Sequence, residues 1–103
     1  MGTMKRHFKK LTDNATMPER ATKGSAGYDI SASETVTIQP GEIKLVHTGL
    51  AAQMEQDDVM LLIDRSSNPR KRGLVLSNSV GVIDHDYFPS EFMGMFTNIT
   101  DKP

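Results

Sequence analysis

The sequence lacks any sustained helical hydrophobic period, and this is the strongest constraint on its fold. Short apolar runs recur instead, separated by Gly, Pro, Ser, Asn and Asp. Lys5–Leu11 is basic with two apolar residues three apart and reads as an edge strand, its lysines discouraging pairing with another chain. Thr12–Thr22 is a polar loop with Pro18, and Lys23–Gly27 is a flexible turn leading into Tyr28–Ala32. Val36–Ile38 alternates like a short strand. In Gln39-Pro40-Gly41-Glu42, Pro and Gly stand in the order a type II turn prefers. Ile43–Leu50 is a further strand. Val59–Ile63 is a continuous apolar run of strand length, expected to be buried on both faces. Gly73–Leu76 and Val80–Ile83 flank Ser77-Asn78-Ser79 and read as a β-hairpin. Phe92–Thr100 is the last strand-like run. About seven or eight short strands predict an all-β sandwich or barrel.

With 103 residues, one domain over 1–103 is expected. A chain of this size buries roughly 65% of its unfolded surface, so association of subunits would add needed stability. The formal charge of −1 supplies no global field toward nucleic acid or membrane. The absence of Cys excludes disulfides and thiolate metal sites, and fits a reducing cytoplasm. No apolar run reaches the roughly 18 residues needed to span a bilayer. No leader pattern is read at the N-terminus, and Met1-Gly2-Thr3 ahead of Met4 reads as a cloning remnant. The methionines at 54, 60, 93 and 95 read as core or strand filler.

Several short constellations carry chemistry, although each also has an ordinary structural reading. Asp64-Arg65-Ser66-Ser67, after the buried run, offers a planar fork of donors and two hydroxyls that match phosphate oxygens; an ordinary polar turn capping the strand, with Arg65 paired to Asp64 or solvent, would look the same. Arg70-Lys71-Arg72 reads more simply as a solvated basic loop. The side chain of Asn78 presents a donor and an acceptor together, as the edge of uracil or thymine requires, and Gly81 permits close backbone approach. Asp84-His85-Asp86-Tyr87 closes the second hairpin run. In an extended strand Asp84 and Asp86 share one face and His85 takes the other, which argues against a metal cluster. Asp84 can accept a proton from water, and Tyr87 can pack under a sugar. Asp29, after Gly24-Ser25-Ala26-Gly27-Tyr28, can help hold a hydrated Mg²⁺ beside substrate phosphates. His7, His47 and His85 lack the spacing of zinc ligands.

Taken together, GSAGYDISA at 24–32, RSS at 65–67 followed by Gly73, and GLVLSNSVGVIDHDY at 73–87 resemble the first three motifs of the trimeric dUTP diphosphatases (dUTPases). The resemblance implies a distorted β-barrel or jelly-roll, a homotrimer with shared active sites, and Mg²⁺-dependent cleavage of dUTP to dUMP and pyrophosphate. It implies that Asp84 activates the attacking water. Asn78 and the backbone of Gly81, Val82 and Ile83 would read uracil, and Tyr87 would wall off the 2′-position of the sugar. Arg65, Ser66 and Ser67 would meet the phosphates of a neighbouring subunit's site, and Asp29 would touch the metal through water. No nucleic-acid or membrane partner is implied. Related alternatives are a dCTP deaminase-like enzyme of the same fold and a truncated, non-catalytic paralogue that binds nucleotide or a protein partner.

The sequence departs from the family pattern in three places. Asp64 stands where the family often has Pro. Phe88-Pro89-Ser90-Glu91 is one residue longer than usual after Tyr87. The fourth motif and the Gly-rich fifth do not follow by Pro103, so the C-terminal part of the family domain is expected to be missing from this sequence.

Overall fold

Two antiparallel sheets, packed across one apolar core, make up the computed structural model, which describes residues 6–103. The expected remnant Met1–Thr3 lies outside the described residues. Strands β1 (His7–Lys10), β2 (Ile43–Gln53), β4 (Leu74–Leu76) and β6 (Phe92–Asn98) form one sheet in the order β1-β2-β6-β4. β3 (Val59–Leu62) and β5 (Gly81–Asp84) form the other. A π-helical turn at Asn68–Arg72 precedes β4, and a 3₁₀ turn at His85–Tyr87 follows β5. The described residues hold six strands, fewer than the turn signals suggested.

The basic strand β1 lies at a sheet edge as expected, with Lys9 and Lys10 exposed. The turn before β2 is also as expected. Glu42 donates its N–H to the Gln39 carbonyl at 2.9 Å, and Gly41 has φ 75°, the left-handed value a type II turn needs at that position. β2 alternates between exposed and half-buried up to His47, then stays buried from Thr48 to Ala52. The change coincides with a shift in register against β6 between His47 and Leu50. Beyond it, Leu50 and Ala52 join Ala15, Ile83 and Phe92 in the core. Met54, Met60 and Leu62 pack against that core. Phe8 closes it from the edge strand, its ring 6.1 Å from Phe92 and 5.9 Å edge-on from Tyr28.

Three expectations are corrected. Val36–Ile38 is not a strand. Ile38 is buried, but the segment is held by side-chain bonds: Asn98 Nδ2 donates to the Ile38 carbonyl at 2.8 Å, and Lys44 Nζ to the Thr37 carbonyl at 3.1 Å. Val59–Ile63 is not buried on both faces. Met60 and Leu62 turn inward, while Val59, Leu61 and Ile63 are 54%, 52% and 64% exposed. An all-apolar run hides this alternation, because both faces carry the same kind of side chain. Finally, the runs around Ser77–Ser79 do not pair with each other. Leu74–Leu76 ladders onto β6 and Gly81–Asp84 onto β3, so the Ser77–Val80 turn passes from one sheet to the other.

Candidate nucleotide site

Asp84 ends β5 opposite Val59, at the far end of the ladder from the Gly81–Leu62 pair. Its carboxylate is exposed, and its backbone is still extended (φ −74°, ψ 156°). The next three residues turn into the 3₁₀ segment, so strand alternation stops here and does not place Asp86 on Asp84's face. Tyr87 closes that turn, 44% exposed. Among the described residues no group of three His, Asp or Glu side chains is placed to hold a metal ion.

Among the described residues β5 has a strand partner on one side only, so its second edge presents backbone donors and acceptors over Gly81–Asp84. Gly81 itself is buried, and its small size serves the ladder: a Cβ there would stand 3.1 Å from Leu62 Cβ. The turn before it is tight. Ser79 has φ 65° and donates to the Leu76 carbonyl at 3.1 Å, while Val80 N–H reaches the Asn78 carbonyl at 2.7 Å. Asn78 is exposed at the tip.

Arg65, Ser66 and Ser67 lie at the opposite end of β3 from Asp84. Arg65 lies six residues beyond Val59, the partner of Asp84, or about 20 Å of extended chain. Arg65 instead approaches Asp29, Nε to Oδ1 at 3.9 Å, bringing two of the expected motifs together. Both side chains line an open groove of about 620 Å³ between the sheets, with Tyr28, Leu62 and Phe96 in its walls. Asn78, Asp84 and Tyr87 do not line that groove. The candidate residues thus fall into two separate places on the chain, the β5 end with Asp84 and the Asp29–Arg65 groove.

Sequence reasoning missed a third group. Glu91, four residues beyond Tyr87, accepts from His47 Nδ1 at 3.0 Å and from Gly49 N–H at 2.8 Å. It fastens the longer Phe88–Glu91 loop to β2 where the register shifts. Burial pushes the Glu91 carboxyl up, but the His47 imidazole and the Gly49 amide outweigh it and hold the group below its ordinary range. The hydrogen bond to Glu91 raises His47. The resulting linkage has a definite sign. The His47 contribution is complete below its unfolded value of about 6.5 and fades as pH rises through the higher folded value. The Glu91 contribution is complete above about 4.5 and fades as pH falls. We expect the parent to lose thermal stability between pH 6 and pH 8 relative to His47→Gln, read as the difference in Tm. Equal pH dependence in both proteins would show that the pair adds nothing.

A family model described as dUTPase matches residues 13–103. The chain belongs to the dUTPase family. The deoxyuridine 5′-triphosphate nucleotidohydrolase of Lactococcus lactis subsp. lactis (strain IL1403) is 64% identical over 91 residues, covering 84% of this chain and 61% of that relative. The one from Chromobacterium violaceum is 44% identical over 90 residues, covering 84% and 59%. Among solved structures, the dUTPase from Streptococcus mutans superposes with a TM-score of 0.87 at 44% identity, covering 93% of this chain and 81% of that one. A mutant dUTPase from phage phi11 of S. aureus, described with a structural Mg(II) ion, gives 0.85 at 34% identity, covering 93% and 61%. The two sheets are thus those of the dUTPase jelly-roll. The chain spans about three-fifths of the length of these curated dUTPase relatives.

Proposed function

We propose that the intact protein hydrolyses dUTP to dUMP and pyrophosphate. The observation that carries this reading is the place of Asp84: exposed at the end of β5, one short turn before Tyr87, on a strand whose second edge has no strand partner among the described residues. In the reaction, water oxygen attacks the α-phosphorus and its proton passes to the Asp84 carboxylate. The bond from the α-phosphorus to the bridging oxygen breaks, and pyrophosphate leaves with that oxygen. Asn78 and the free backbone edge at Gly81, Val82 and Ile83 pair with the uracil edge. A 5-methyl group would clash there, and cytosine would leave buried donors and acceptors unpaired, a mismatch that discriminates strongly.

Arg65, Ser66 and Ser67 bind the phosphates. Arg65 and Asp84 stand at opposite ends of β3, about 20 Å apart along the strand, so the phosphates of one nucleotide are met by the turn of a second copy. This favours a homotrimer with shared sites. The apolar outer face of Val59, Leu61, Ile63 and Val82 supplies surface for such association. Asp29 offers one carboxylate near the phosphate turn, which fits a hydrated Mg²⁺ held mainly by the triphosphate. Bound there, Mg²⁺ would neutralise phosphate charge.

The test is pyrophosphate release from dUTP with Mg²⁺, alongside ammonia release from dCTP. Pyrophosphate from dUTP alone supports the proposal, whereas ammonia without pyrophosphate assigns a deaminase. Binding of dUTP without turnover assigns a non-catalytic paralogue. Tyr87→Ala should narrow the preference for dUTP over UTP by about tenfold or more, measured as the ratio of kcat/KM values. An unchanged ratio places the sugar wall elsewhere.

A further inference from the structure

Asp64 is used by none of the steps above, yet it lies between the two turns that matter most. It immediately precedes Arg65, and its Oδ2 accepts the N–H of Leu76 at 2.9 Å. Leu76 is the last residue of β4, an edge strand of the larger sheet. β6 serves one side of β4, and at Leu76 the Asp64 carboxylate stands where a second strand partner would be. Leu76 is buried, so without that oxygen its N–H would be an unpaired buried donor. The Leu76 carbonyl in turn accepts Ser79 N–H, closing the turn that carries Asn78. The other oxygen of Asp64, Oδ1, is buried with no hydrogen-bond partner among the described residues. The carboxylate is therefore held by one bond, which joins the residue before Arg65 to the start of the Ser77–Val80 turn; Ser77 is held separately to β6, its N–H donating to the Met95 carbonyl at 2.8 Å.

The structure assigns to Asp64 the role of a positioning residue for base recognition, acting through the Leu76 amide on Asn78. This rests on the nucleotide reading above. Because the Arg65–Ser67 turn and the Asn78 turn serve different copies of the site in that reading, the Asp64 bond ties the base end of one site to the phosphate end of the next.

The experiment compares the full-length protein with Asp64→Ala, Asp64→Leu and Asp64→Asn. It measures dUMP and dTMP affinities by calorimetry, Tm, and hydrogen exchange at the Leu76 amide. Asp64→Ala and Asp64→Leu should weaken dUMP about tenfold, narrow the dUMP-over-dTMP preference and speed Leu76 exchange. Asp64→Asn keeps a side-chain oxygen for the same N–H and should restore all three. A merely structural role would lower Tm and leave the base preference unchanged, and that result overturns the proposal. Equal impairment in Asp64→Asn and Asp64→Ala overturns it too. Failure of the parent to bind dUMP overturns the nucleotide reading and this proposal with it. Parental binding with unchanged variants overturns this proposal alone.

Discussion

Asp84→Asn is expected to lower kcat for dUTP by about 10²–10⁴-fold, the usual worth of a positioned general base. The dissociation constant of a non-hydrolysable dUTP analogue should stay within about threefold of the parent, because base, sugar and phosphates are assigned to other groups. Asn keeps the size of Asp but cannot take the proton from water. The substitution should also leave the fold intact, since Asp84 is exposed and its backbone, not its side chain, pairs with Val59. Unchanged turnover would remove Asp84 from the reaction. A matching loss of analogue affinity would make it a binding group instead.

The second large effect is structural and centres on Gly73. This residue ends the π-helical turn after Arg65–Ser67, with φ 64° and ψ 32°. Its N–H reaches the Asn68 carbonyl, and its own carbonyl accepts Ile99 N–H at 2.9 Å. A Cβ built here would stand 2.0 Å from Thr100 Cγ2. Gly73→Val therefore combines an unfavourable left-handed backbone with a direct clash. The expected loss is about 2–5 kcal/mol, from roughly 1–2 for the backbone and 1–3 for overpacking. Denaturant unfolding would measure it. Adding Thr100→Ser to Gly73→Ala removes the clashing methyl and should recover part of the loss seen in Gly73→Ala alone. Thr100 Oγ1, which bonds Asn98 Oδ1 at 2.7 Å, is kept in that double variant. No recovery would mean that the backbone conformation, not Thr100, sets the cost.

The parts of the fold legible in the sequence were those decided by neighbours in the chain. The Pro40-Gly41 turn, the lysine-rich edge strand and the extended character of β5 and β6 all follow from local chemistry. Pairing was not legible. Leu74–Leu76 and Val80–Ile83 look like partners because a short polar turn joins them, yet each finds a better partner distant in the chain. Val36–Ile38 has strand composition, but hydrogen bonds from Asn98 and Lys44 side chains replace a ladder.

The site divides in the same way. Asp84, Tyr87, Asn78 and the Arg65–Ser67 turn could be singled out from motif and residue type. His47 with Glu91, 44 residues apart, and Asp64 with the Leu76 amide could not, since only the folded chain brings them together. Nor does the sequence reveal that Asp84 and Arg65 stand at opposite ends of β3. In the proposed nucleotide reading, that separation is what calls for a second copy.

Asn98 has a consequence for how the molecule breathes. Its buried amide bonds the Ile38 carbonyl on one side and the Lys102 carbonyl and Thr100 N–H on the other. The chain before β2 and the chain after β6 thus share one anchor. Segments that lack a ladder open at low free energy, and those that share an anchor open together. Local unfolding should accordingly release both stretches as a single unit, while the Leu50–Phe92 core stays closed.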